Sequence, residues 1–246
     1  MLTIDRINFI SKWISDYAIN SSKRPFNLVI GVSGGIDSAV TSTLCAKTNL
    51  KTIVVSMPIK QNKYQHSLSL EHIEWLKSNF TNVESHIINL DNVFKTFQDD
   101  MKNFTSDLAF ANSRSRLRMV TLYQIAQYSN SLVVGTGNKV EDFGIGFYTK
   151  YGDGGVDVSP IADCTKTQIW EMGRTLSIPK NIIDAKPTDG LWDDNRNDQD
   201  QIGLSYEQLE EAMDNPKSQY YQKYKQIRKP NLHKMGSIPI CRFKNK

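Results

Sequence analysis

The segment Gly31-Val32-Ser33-Gly34-Gly35-Ile36-Asp37-Ser38 places two adjacent glycines, two hydroxyls and a carboxylate within eight residues. Glycine backbone lets amide groups approach an anion, and the hydroxyls of Ser33 and Ser38 add donors. A helix starting there would aim the positive end of its dipole at the same spot. This chemistry suits a phosphate. A Walker A loop carries Lys just before its last Ser or Thr, and Asp37 stands there instead, which excludes a P-loop NTPase. An acid at a phosphate site suits magnesium. Farther on, the stretch Phe147 to Asp157 packs Lys150, Asp153, Asp157 and three glycines together, a composition shared by active-site loops and hairpin turns. Asn112 to Met119 spaces three arginines two apart. Arg116 aligns with Met119, Val120 and Tyr123 at the edge of a buried stripe, where a guanidinium pairs with an anion or snorkels to solvent, while Arg114 and Arg118 share another face.

Alternating elements must carry these residues. Ile4, Ile7, Ile10, Ile14 and Tyr17 recur at helical spacing and stop before Pro25. Apolar runs at 26–30, 52–57, 85–90 and 131–135 read as strands, with helices predicted up to about Lys47, over 65–79 and from about Ser113 to Tyr128. The alternation predicts an α/β fold, a doubly wound parallel sheet with flanking helices. Ligands of such sheets lie beyond the carboxyl ends of the strands, so Gly31-Val32-Ser33, Met57-Pro58 and Gly135-Thr136-Gly137-Asn138 should meet. After Lys139 come a helix near 166–176, an acidic Asn-rich stretch at 189–201 read as a mobile loop, and helices near 206–213 and 217–228.

A chain of 246 residues holds one substantial core, so a single domain over 1–246 is expected. No apolar run approaches the roughly 18 residues of a membrane span, and no signal-peptide core is present, which points to a cytoplasmic protein with no membrane partner. Cys45, Cys164 and Cys241 are odd in number and far apart, and His66, His72 and His86 are scattered. Neither a disulfide framework nor a thiolate or histidine metal site follows. A formal net charge of +4, with dispersed cations, favours phosphorylated small molecules over nucleic acid.

Ser-Gly-Gly-Ile-Asp-Ser resembles the pyrophosphate loop of the ATP pyrophosphatases, enzymes that split ATP into AMP and pyrophosphate while adenylating a substrate. Together with Asn-x-x-x-Arg-x-Arg-Met, Gly-Thr followed by Glu, Phe-Tyr-Thr-Lys-Tyr-Gly-Asp-Gly-Gly-x-Asp, Lys-Pro-Thr and a late His-Lys, the set resembles the ammonia-dependent NAD synthetase family over residues 31–234. The resemblance implies a Rossmann-like fold of the adenine nucleotide alpha-hydrolase type. It further implies ATP as co-substrate, held by residues 31–38 (Gly31, Val32, Ser33, Gly34, Gly35, Ile36, Asp37 and Ser38) with Thr136, Lys166 and Thr188. Magnesium would sit on Asp37 and Glu141, and the nicotinate dinucleotide on Arg116, Lys150 and Asp157. His233 and Lys234 would close over it. Asp37, Glu141 and Lys166 would carry the catalysis, and the chain would be a homodimer.

The expected reaction is amidation of a nicotinate carboxylate through an acyl-adenylate, with free ammonia as nitrogen source. The chain departs from the family at Met235, where an Arg is common, and both termini look short. These departures fall near the adenosine end of the dinucleotide, so amidation of nicotinate mononucleotide is the alternative. A tRNA-modifying relative would fit pI 8.8, but the paired cysteines of thiolating members are missing.

Overall fold

The computed structural model describes residues 1–21, 26–188 and 198–243. Helix α1 (Thr3–Asn20) leads into strand β1 (Asn27–Gly31), helix α2 (Ile36–Ala46), β2 (Thr52–Ser56), α3 (Lys63–Asn79) and β3 (Val83–Ile87). Helices α4 (Asp91–Asp100) and α5 (Asp107–Ser129) then precede β4 (Ser131–Val133). The strands form one parallel sheet in the order β3-β2-β1-β4, with Leu28 opposite both Thr52 and Leu132. Because side chains alternate along a strand, Leu28 and Ile30 pack on one face with α1, α2 and α6 (Lys166–Thr175), while Val29, Ile53 and Val55 pack on the other with Phe94 of α4 and Ala126 of α5. The expected doubly wound parallel sheet is therefore present. Crossovers reverse direction between β1 and β4, which makes that gap the switch point where a ligand crevice forms.

Three differences from the expected elements bear on the site. β3 begins at Val83 and ends at Ile87, so the apolar residues Ile88 and Leu90 belong to the link into α4. α4 has no counterpart in the sequence reading. α5 starts at Asp107, capped by the Ser106 hydroxyl accepting from the Ala109 amide, so the Arg-rich segment lies inside the helix rather than at its start. The assignment of arginine faces is corrected with it: Arg114 is buried, 5.2 Å from the Phe94 ring centroid, whereas Arg116 and Val120 are exposed.

After β4 the chain forms a π-helix (Lys139–Ile145), α6, α7 (Lys180–Ile183), α8 (Asp198–Ile202), α9 (Tyr206–Asp214), α10 (Tyr221–Arg228) and, after a turn of 3₁₀-helix at Lys229–Asn231, α11 (Leu232–Met235). A separate apolar cluster, with Val140, Ile145, Ile202 and Leu209 at its centre, packs the C-terminal helices on the π-helix. The predicted mobile loop lies mostly outside the described residues; its end, Asp198–Gln201, is helical in α8.

One buried titratable group gives the fold a pH signature. His72 on α3 is fully buried, stacked on Trp75, with Nε2 2.9 Å from Ser42 Oγ, and burial pushes its pKa down to about 3. Unfolded, the ring titrates at about 6.5, so the unfolded chain binds more protons between those values. The stability tied to the neutral ring is complete above about pH 6.5 and is lost as pH falls toward 3. In urea unfolding, His72→Phe should therefore lose less stability than wild type between pH 6.5 and 4. Equal losses would contradict this account.

Candidate active site

The carboxyl ends of β1 and β4 open into a cavity of about 940 Å³. At its floor the turn after β1 folds back on itself. Ser38 Oγ accepts from the Ser33 amide at 3.2 Å and donates to Gly35 O at 2.9 Å, and Ser33 Oγ accepts from the Gly35 amide. Gly34 has φ +91°, and a Cβ there would lie 2.5 Å from Gln65 O, so both conformation and space demand glycine. Gly35 is the N-cap of α2, whose free amides and dipole face the turn. The turn thus has a shape and backbone polarity that suit an anion.

Three charged side chains from distant parts of the chain meet beside it. Lys166, the first residue of α6 and only 2% exposed, donates to Asp37 Oδ2 at 2.5 Å and to Glu141 Oε1 at 2.8 Å. Burial alone would push its ammonium down, but the two carboxylates hold it above its usual range, so Lys166 stays charged. Burial pushes Asp37 up, to about 6, against the pull of Lys166. Local structure fixes all three. Thr165 and Gln168 form a capping box at the start of α6, and Glu210 of α9 accepts from Thr167 N and Oγ1. Glu141 rides on the π-helix, a form that favours functional sites. Buried Asn138 caps that helix, accepting from the Val140 and Glu141 amides, and donates weakly to Asp37 Oδ1 at 3.4 Å. Glu141 Oε1 also accepts from the Tyr206 hydroxyl at 2.5 Å.

The remaining wall comes from the loop after the π-helix and from the C-terminal segment. Asp153 Oδ1 accepts from Ser115 Oγ and the Thr149 amide, latching the loop to α5, and burial pushes its carboxyl up. Arg228 donates to Phe143 O and Gly144 O, Asn231 donates to Ile145 O, and Lys234 and Tyr148 each donate to the other's carbonyl. A glycine turn of this polarity, flanked by a buried Lys and two carboxylates, suits a polyphosphate. The match of residues 6–239 to NAD synthase decides what kind of protein carries it.

This chain belongs to the NAD synthase family. It is 36% identical to the NH(3)-dependent NAD(+) synthetase of Saccharolobus solfataricus over 244 residues, 97% of this chain and 82% of that protein. It is 39% identical to the protein of the same name from Carboxydothermus hydrogenoformans over 74% of each chain. Among solved structures, NMN synthetase from Francisella tularensis superposes with a TM-score of 0.89 at 32% identity, covering 99% of this chain and 100% of the other. The NH3-dependent NAD synthetase of Campylobacter jejuni, solved with nitrate, gives 0.79 at 25% identity, covering 98% and 100%.

Within this NAD synthase fold the predicted residues separate into two groups. The whole turn 31–38, Thr136, Glu141, Lys166, Thr188 and Lys234 line the cavity. Arg116, Lys150, Asp157 and His233 do not. Arg116 is exposed, with Nε donating to Lys150 O, and His233 is exposed. Asp157 turns away: Oδ1 accepts from Tyr123 Oη and Oδ2 from the Val133 amide, closing the edge of β4. Sequence reasoning placed Asn138 at a converging strand end without a role, and missed Tyr206 and Glu210. A capping-type residue directly after Gly135-Thr136-Gly137 marked the first, and the Ser205-x-x-Gln208 capping box marked the helix that carries the other two.

Proposed function

We propose that this protein amidates nicotinic acid adenine dinucleotide to NAD, with ATP and ammonia as co-substrates. The observation that carries this reading is the Asp37–Lys166–Glu141 cluster set against the backbone phosphate cradle. The substrate carboxylate attacks the α-phosphate of ATP, forming an acyl-adenylate and releasing pyrophosphate. Ammonia then adds to the acyl carbon and AMP leaves. Hydroxide is a poor leaving group and AMP a good one, so adenylation is what makes the amide accessible. Residues 31–38 and Lys166 hold the triphosphate where the departing pyrophosphate gathers charge, and Thr136 and Thr188 contact the nucleotide. Lys166 acts as a fixed cation and not as a base, because its two carboxylate partners keep it protonated. Asp37 and Glu141 offer hard oxygen donors, and Glu141 Oε2 has no hydrogen-bond partner among the described residues, which fits magnesium shared with substrate phosphates. Magnesium there would neutralise phosphate charge.

Arg116, Lys150 and His233 neighbour the lining residues Ser115, Thr149 and Lys234, and we assign them to the nicotinate nucleotide, with Asp157 holding their loop to β4. Exposed Phe97, Met101, Phe104, Leu108 and Val120 on and between α4 and α5 supply an apolar surface for a two-fold homodimer that would enclose this region. Light scattering at micromolar concentration should report a dimer; a fully active monomer would remove the partner from the substrate site. No helix among the described residues is long and apolar enough to cross a membrane. The protein is assigned to the cytoplasm, with small molecules and a second copy of itself as partners, and no nucleic acid.

End-to-end superposition on NMN synthetase favours a second reading, amidation of nicotinate mononucleotide by the same chemistry. Measuring kcat/KM for both acids under saturating ATP and ammonium decides between them. The dinucleotide should be preferred while the mononucleotide is still turned over. A strong mononucleotide preference would install the second reading, and turnover of neither acid would refute both.

A further inference from the structure

We propose that Tyr206 is a positioning residue for the Lys166–Glu141 pair, an inference that rests on the function proposed above. Tyr206 is 6% exposed and is not among the residues lining the cavity, so its contacts with the site run through its neighbours. It touches both members of the pair. Its hydroxyl donates to Glu141 Oε1, the same oxygen that receives Lys166, and its ring centroid lies 4.8 Å from Lys166 Nζ. Trp170, edge-on at 5.8 Å and 89°, fixes the ring from α6, and Asp198 Oδ2 lies 2.9 Å from the phenol oxygen. Placing both donors on Oε1 sets the rotation of the Glu141 carboxylate and leaves Oε2 outside that pair of bonds. The ring face, meanwhile, confines the ammonium between two acids and a π surface. One helical turn on, Glu210 grips the start of α6. α9 thus holds both the acid and the element that carries the cation, although none of its residues lines the cavity.

Tyr206→Phe keeps the ring, its contact with Lys166 and its packing on Trp170, and removes only the O–H. Loss of a hydrogen bond to a charged acceptor corresponds to roughly a 10-fold to 100-fold effect. We expect kcat to fall by that factor and the half-saturating magnesium concentration to rise, with KM for the nicotinate acid unchanged. Calorimetric titration with magnesium and ATP, normalised to the folded fraction from circular dichroism, should show weaker binding than wild type. Wild-type rate and binding, or a rate loss with unchanged magnesium dependence, would overturn the inference while leaving the reaction standing. If wild type amidates neither acid, the proposed function fails, and the calorimetric comparison alone decides the role of Tyr206.

Discussion

Asp37→Asn should lower kcat by about 10²–10³-fold, the size expected when one preorganised electrostatic group is lost at a developing charge, while the protein stays folded. The amide oxygen can still accept from Lys166, whose other partner, Glu141, is untouched. Burial already pushes the Asp37 carboxyl up to about 6, so an uncharged side chain relieves a desolvation strain. Rate and stability therefore part company at this position. The check is steady-state turnover beside a thermal melt. Wild-type turnover would remove Asp37 from the phosphate chemistry, and a collapsed melt would show that the carboxylate is structural.

Lys166→Met should lose both. The substitution keeps an unbranched apolar stem but removes the cation that Asp37 and Glu141, 18% and 14% exposed, share among the described residues. Removing one partner of a buried ion pair costs roughly 3–5 kcal/mol, because the charge left behind is neither solvated nor paired. For a chain of this size that corresponds to a melting temperature lower by on the order of 10 °C. Lowering the pH should recover part of the difference, since protonating the stranded carboxylates removes their charge. Activity should be undetectable at any pH at which the protein is folded. A melt unchanged from wild type would mean that water already solvates the two carboxylates.

The strands were legible where parallel pairing buries both faces, because Leu28-Val29-Ile30 and Ile53-Val54-Val55 are then continuous apolar runs. β3 is an edge strand reading Val83-Glu84-Ser85-His86-Ile87 with little burial, so the apolar Ile88 and Leu90 downstream drew the expected end three residues too far. On α5, polar Asn112 and Ser113 mimic a helix start, while the true cap is Ser106. Arg114 lies buried on that helix because Phe94 arrives from α4, a neighbour that periodicity within one segment cannot supply. The same limit applies at the site. Asp37 and Glu141 stood in quoted motifs and Lys166 came only with the family resemblance, but Asn138, Tyr206 and Glu210 act on neighbouring groups, and only tertiary packing reveals those targets.

The sheet order also sets when the site can exist during synthesis. β1 pairs with β2 across about two dozen residues but must wait for β4, whose Ser131 lies opposite Asn27. Lys166 is 129 positions from the aspartate it neutralises. Such distant closures come late, since their loop entropy is offset only once intervening elements have packed. A nascent chain therefore displays its phosphate turn long before it holds the charges that make the turn useful, and completion of α6 and α9 is the step at which a polypeptide becomes a ligase. Emerging chains of this kind should leave cellular ATP untouched until nearly the whole domain has left the ribosome.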